Sequence, residues 1–432
     1  MVQDDGRVGL DRVEVAFDDR RVVSDAGVVL VATIAQRLGI EGLADRVVRL
    51  GDVAGAANPG RKILTLIYAM VLGADCIDDC QILRSGSLSR LLGRVAAPST
   101  IGTFLRAFTF GHVRQLDQLL AESLARAWRS GAGPGDRRLT VDVDSFIGEV
   151  HGYKKQGAAF GYTRQRGYHP LIATRAETGE VLHIRLRTGR AASPRGVLRF
   201  ADELIARVAR AGATGPKLLR ADSAFWNKKL IARLDRAGWS YSISIPLQPW
   251  VKAGIAQIPE HTWQTLKDYP EGGEAQIAQT ELNGHRLIVR RTRLVGAQAE
   301  LWPDWRHFAF TTNRTEPLEV VEAEHRDHAV VELAIRDLKD QALAHFPSGK
   351  FNANAAWTVI GSIAHNLLRW TTTIGLPDHT VRTSRTIRRR LLSLPGRLTT
   401  SGRQWTLHLP SRWPWQHDFI RALARIRALP AA

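Results

Sequence analysis

Cysteine is nearly absent: Cys76 and Cys80 are the only two in 432 residues. That excludes a disulfide framework and fits a reducing, intracellular setting. Long apolar runs are missing as well. The most apolar stretches, 63–72 and 359–368, are too short to cross a bilayer. The opening MVQDDGRVGL lacks the basic-then-apolar pattern of a secretory signal, so the expectation is a cytoplasmic chain with no membrane segment. No low-complexity segment or internal repeat occurs, which argues against a disordered tail or a solenoid. Acids are the scarcer charge, with 42 Asp and Glu against 60 Lys and Arg and a formal charge of +18. A surplus of this size attracts polyanions, which makes nucleic acid the leading partner. An arginine-rich composition inherited from a GC-rich genome gives the same count, and charge names no reaction.

What is present divides the chain into segments. Helical spacing in VVLVATIAQRLGIEGLADRVVRL and KILTLIYAMVLG, and a Pro98-Ser99-Thr100 helix start, make residues 1–130 a helical amino-terminal region. Its stretch from Arg84 to Arg106 is the candidate for DNA recognition. The Gly131-to-Asp136 punctuation then separates off a core whose first part spans 137–246. There LTVDVDSFIGEV reads as a strand, followed by two strands around a Glu-Thr-Gly-Glu turn, a helix ending at Gly212, and a strand, helix and strand. That order predicts an α/β fold, a mixed five-stranded sheet with helices on its faces. Residues 247–315 read as a β-rich insertion, 316–375 as two long helices, and 376–432 as a basic carboxyl-terminal region containing Arg382, Arg385, Arg388, Arg389, Arg390, Arg397 and Arg403.

Three acids stand out. Asp142 and Asp144 alternate onto one face of the first strand, and Asp222 sits where the fourth strand ends, the place where α/β sheets collect ligand-binding groups. On the helix around Glu332, the side chains of His325, His328, Glu332, Arg336 and Lys339 fall within an arc of roughly 80°. Val330, Val331, Ala334, Ile335 and Leu338 cover the opposite side. The simplest account of that polar stripe is an amphipathic helix with Glu332 paired to Arg336 and His328.

HRDHAVVELAIRDLK resembles the Y-x-x-R-x-x-x-E-x-x-x-x-x-x-K signature of insertion-sequence DDE transposases of the cut-and-paste type, with Glu332 and Lys339 at the matching positions. His325 stands where that family has tyrosine and His328 where it has arginine, and Arg326 is a neighbouring cation. VDVDSFIGEVHGYKKQGAAFGYTRQRGYHPLIA resembles the family's first-aspartate strand and LLRADSAFWNKKL its second, so the resemblance covers residues 95–425 or so. It implies a ribonuclease-H-like core interrupted by the insertion. It also implies metal-dependent DNA cleavage and strand transfer at the terminal inverted repeats of a bacterial insertion sequence, by a homodimer in the synaptic complex, at the nucleoid.

By this resemblance the catalytic, metal-holding set is Asp144, Asp222 and Glu332, with Asp142 the alternative first acid. The cofactor is a pair of Mg2+ ions, with Mn2+ as substitute. Two such ions roughly 3.5–4 Å apart activate the attacking oxygen, neutralise the phosphoryl group and stabilise the leaving oxygen. The candidate DNA contacts are Lys339, His328, His325, Arg336 and Arg326 on the helix, Trp226 as a base-stacking ring, and Tyr162, Arg164 and Arg166 in a loop that continues to Tyr168 and His169. Asp75-Cys76-Ile77-Asp78-Asp79-Cys80 is a decoy, since one C-x-x-x-C without further ligands is weak evidence for zinc. A ribonuclease-H-like nuclease or resolvase that cuts without joining, and an inactive DNA-binding relative, are the competing readings.

Overall fold

The computed structural model describes residues 10–161, 164–267, 269–295, 304–378 and 383–431. Tyr162 and Arg382 lie outside the described residues. The chain enters through helices Val28–Arg37, Ile40–Val47, Pro59–Val71 and Pro98–Arg106, which precede the longer α1 (Phe110–Ala127). The pattern that suggests one continuous helix from residue 28 is broken at Gly39, whose φ of 60° is the left-handed conformation that glycine takes most readily.

Beyond α1 the backbone becomes extended. Strand β1 (Leu139–Ser145) carries three β-branched residues, Thr140, Val141 and Val143, and it pairs antiparallel with β2 (Leu171–Arg175), which pairs antiparallel with β3 (Val181–Arg185). Helix α2 (Val197–Ala211) crosses to β4 (Lys217–Ala221) and ends at Gly212, which takes φ 93° as its cap. Helix α3 (Lys228–Arg236) then crosses to β5 (Ser240–Ser244). Strands β4 and β5 run parallel to β1 and lie on its other side, so the order is β3-β2-β1-β4-β5. Three antiparallel strands joined to two parallel ones in that order form a ribonuclease-H-like core.

The β-rich region is not a separate sheet. Strands β6 (Gln264–Thr265), β7 (Gly273–Leu282), β8 (His285–Leu294) and β9 (Arg306–Thr312) extend the same sheet outward, because β9 pairs antiparallel with β5. After it come α4 (Leu318–Arg326), a 3-10 turn at Asp327–Ala329 and α5 (Val330–Leu338), where the sequence pattern suggests one unbroken helix. The basic end of the chain is folded. Its hairpin Gly396–Ser401/Gln404–His408 pairs with Val22–Val23 and so closes against the amino-terminal helices. No helix among the described residues is long and apolar enough to cross a membrane.

Helix α6 (Phe351–Gly375) is buried nearly all round and packs against β3 and α1. The pairing of β2 and β3 shifts register between Ala173 and Thr174, so that Thr174 faces Val181 and Leu182 is passed over, and Asn366 reaches the backbone of Val181 at this irregularity. The Asn366 Oδ1 accepts from Val181 N–H at 2.7 Å and its Nδ2 donates to the Val181 carbonyl at 2.8 Å. Nearby, the fully buried Glu180 accepts from the indoles of Trp128 at 3.0 Å and Trp370 at 2.6 Å and pairs with Arg175. This one carboxylate joins α6, the sheet and the end of the helical region. Replacing Asn366 by leucine keeps the volume but strands two buried backbone groups. The expected loss is about 1–3 kcal/mol of unfolding free energy, read as a lower urea midpoint with unchanged slope; an unchanged midpoint refutes the bridging role.

Candidate active site

Strands β1 and β4 are parallel, with Val143 opposite Ala221. The next residues, Asp144 and Asp222, therefore leave adjacent strands at the same carboxyl-terminal end, the crevice side of an α/β sheet. Asp222 is exposed, and one of its oxygens caps a short turn by accepting from Ala224 N–H at 3.0 Å. Asp144 is half-buried and accepts from Ser145 N–H at 2.6 Å. Glu332 projects from the first turn of α5, the helix that packs over β1. It is exposed and forms no ion pair with Arg336, so the simple amphipathic-helix pairing does not occur.

Burial pushes the Asp144 carboxyl up to about 6, and the charges of Asp222 and Glu332 push the same way, while the Ser145 N–H and His328 oppose them. The three acids are therefore electrostatic neighbours. They are not drawn together as tightly as ligands of one ion, for among the described residues only Asp75, Cys76 and Asp79 bring three ligand atoms within 4.8 Å of one another. In that cluster Asp79 accepts from the backbone N–H groups of Asp75 and Cys76, as a turn cap does. Around Asp144, like charges resist approach, and that repulsion is what a divalent cation offsets. One half-buried carboxylate and two exposed ones offer hard oxygen donors, the donor type that Mg2+ and Mn2+ take.

Asp142 has a different task. It is fully buried, and Arg220, its register partner on β4, grips it through Nε at 2.7 Å and Nη2 at 2.9 Å. His328 Nδ1 lies 3.0 Å from the same carboxylate. Arg220 also donates to the carbonyl of Glu324, and to that of Asp327 at 3.2 Å. With both oxygens committed, Asp142 is withdrawn as the alternative first acid. The sequence reading missed Arg220, although R-x-D on β4 facing D-x-D on β1 is a visible sign: alternate residues share a face, so opposite charges meet in register.

The other expected contacts divide into inward and outward groups. His325 is corrected: its ring lies between Ser242 Oγ at 2.8 Å and Ser244 Oγ at 3.0 Å, stacked 4.0 Å from Phe310. Burial, helped by the charges of His328 and Arg220, lowers it to about 3, so it is neutral and serves the sheet rather than a phosphate. Tyr168 is buried, its hydroxyl donating to the Gln156 carbonyl and accepting from Asn354, so it belongs to the core. His169 is also buried, 3.0 Å from Ser145 Oγ and 2.6 Å from the Ala191 carbonyl, which steadies the residue next to Asp144. Arg166 ties down its own loop through the carbonyls of Gly152 and Tyr153. Trp226 packs between the main core and the insertion, 5.9 Å from Trp250, and its buried indole N–H has no partner among the described residues. Arg326 is exposed but paired with Glu322 at 2.9 Å. Arg164 and Arg336 are exposed, and Lys339 sits 5.4 Å from the ring of Phe146, just beyond Asp144.

A family model described as transposase DDE domain group 1 matches residues 6–431. No curated protein matches the chain. Among solved structures, the cryo-EM structure of a piggyBac transposase synaptic complex with hairpin DNA is similar at 11% identity, with a TM-score of 0.47, over 85% of this chain and 79% of that one.

The raised Asp144 carboxyl has a stability consequence. A carboxyl whose folded value exceeds its unfolded value costs nothing at a pH below both; the cost grows as pH rises from about 4 to about 6 and is constant above. Asp144→Asn is expected to stabilise the metal-free protein at pH 7.5, by up to about 3 kcal/mol, and to have no such effect near pH 3.5. Thermal melts in chelator at both pH values check this. An equal effect at both would remove ionisation as its cause.

Proposed function

Because the chain belongs to the transposase DDE domain group 1 family, we propose that it cuts DNA at the terminal inverted repeats of its own insertion sequence and joins the freed ends to a target, in cut-and-paste fashion. The observation that carries this reading is the pairing of Asp144 and Asp222 on adjacent parallel strand ends, electrostatically coupled to Glu332 on α5.

In this reading Asp144, Asp222 and Glu332 hold two Mg2+ ions, with Mn2+ as substitute. Such ions activate the attacking water or 3′-hydroxyl and stabilise charge on the phosphoryl and leaving oxygens. The residues contribute placement. The strand-end acids are set by the sheet, and Glu332 is brought to them by a helix whose preceding turn is held through Arg220. Arg336 and Lys339, one and two turns further along, bind the phosphates that flank the scissile bond, and Arg164 contacts the duplex from its loop. The +18 charge draws the DNA in and makes binding salt-dependent. In this reading a homodimer holds the two ends together in the synapse, so that both are joined to one target.

Strand-transfer assays with pre-cleaved terminal DNA test this directly. The wild type with Mg2+ or Mn2+ is expected to give joined product. Asp222→Ala is expected to lose cutting and joining by at least about a hundredfold while binding the same DNA. Cutting without joining supports a nuclease or resolvase instead. No activity in the wild type supports an inactive DNA-binding relative, and full activity in Asp222→Ala rules out this set of acids.

A further inference from the structure

The three-stranded sheet that joins the two ends of the chain has an open edge. Its strand order is Val22–Val23, Gly396–Ser401, Gln404–His408, so among the described residues Gln404–His408 has a neighbour on one side alone. Such an edge offers unbonded N–H and C=O groups to another strand. Trp405, 52% exposed, and Leu407 share one face of this strand, and Leu409 follows at the same spacing. Leu409 lines a cleft of about 780 Å³ with Pro410, Trp413, Phe419 and Ile420. Arg90, stacked on Trp405, and the exposed Arg403 and Arg412 have no acidic partner among the described residues.

Residues 13–17 carry a pattern that matches this edge. Val13, Val15 and Phe17 alternate with Glu14 and Ala16, so an extended backbone sets three apolar side chains on one face. All three are exposed, Phe17 completely, and no backbone group of residues 14–17 is bonded to another described residue. Asp11, Glu14 and Asp18 make the arm acidic, and none of them has an ion pair among the described residues. The arm leaves the sheet at the edge opposite to Gln404–His408, where the Arg21 carbonyl accepts from Leu398 N–H beside the Val22–Arg397 pairing. The open edge therefore lies across the sheet from the arm of its own copy.

We propose that the arm, residues 13–17, of one copy of this chain adds as a strand to the Gln404–His408 edge of a second copy. The arm is as long as the five-residue strand it joins. Main-chain hydrogen bonds complete the edge, while Val13, Val15 and Phe17 extend the apolar face of Trp405, Leu407 and Leu409. The acids of the arm come beside Arg90, Arg403 and Arg412, a complementarity of charge that selects this segment as the occupant. In a two-fold pair the contact forms twice, because each copy brings one arm and one edge. This association needs neither metal nor DNA, so it goes beyond the reading of the three acids and fails or stands separately from it.

Sedimentation equilibrium of the full-length chain, free of DNA and in chelator, reads the association. The wild type is expected to show a monomer–dimer equilibrium. Phe17→Asp alters a fully exposed side chain, and is expected to raise the dimer dissociation constant at least about tenfold while leaving the thermal midpoint unchanged. Trp405→Asp, on the other half of the contact, is expected to weaken the dimer in the same way. Photo-crosslinking reads the placement. A copy with Phe17→p-benzoylphenylalanine is equilibrated with 15N-labelled wild type, and mass spectrometry is expected to find the unlabelled arm joined to labelled peptides from residues 404–424. Crosslinks confined to unlabelled chains mean that the arm folds onto its own copy, and they overturn the proposal. So do crosslinks that are absent or fall elsewhere, a wild type that stays monomeric, or a dimer that Phe17→Asp leaves unchanged.

Discussion

One buried guanidinium sets the relation among the elements that carry the three acids. Arg220 sits on β4 two residues before Asp222, its fork grips Asp142 on β1 two residues before Asp144, and it reaches the carbonyls that lead from α4 towards Glu332. Breaking such a pair is costly, about 3–5 kcal/mol, because the partner left behind is a buried, unmatched charge. Its net contribution to stability is smaller, since both groups also lost water. The stronger argument is geometric: a planar fork has few acceptable orientations, so it fixes register between strands and the height of the helix above them.

The same economy explains why so basic a chain does not expose all its arginines. Arg175, Arg207, Arg220 and Arg369 are buried, and each donates to interior carboxylates or carbonyls. They tie β2, α2, β4 and α6 into one interior. The attraction for DNA depends on net charge and survives this, because a field summed over the molecule does not require each cation to touch a phosphate. Local contact does require it. Arg166 and Arg326 show the difference, since each already holds a partner within the chain.

Much of the fold was legible because its signals are local. The valine-rich alternation of β1, the turn between β2 and β3, the helix closing at Gly212, and the β4–α3–β5 run all follow from periodicity and punctuation. Asp222 was legible at a strand end, and Glu332 from the face of its helix. The parts that were not legible depend on partners distant in sequence. Tyr168 and His169 read as a polar loop until Asn354 and Ala191 close on them. The insertion reads as separate until β9 meets β5, a pairing between residues some seventy positions apart that no local pattern encodes.

The two histidines on the helical segment show how identical side chains acquire different chemistry from what faces them. His325 meets two serine hydroxyls and an aromatic ring, neutral groups that satisfy both nitrogens and do nothing to favour a cation. It therefore anchors the end of α4 to β5 as a neutral ring. His328, one turn on, meets the Asp142 carboxylate through Nδ1. The difference lies in the partner and not in the ring: hydroxyls and an aromatic face hold His325 within the sheet, whereas a carboxylate already gripped by Arg220 holds His328 over β1.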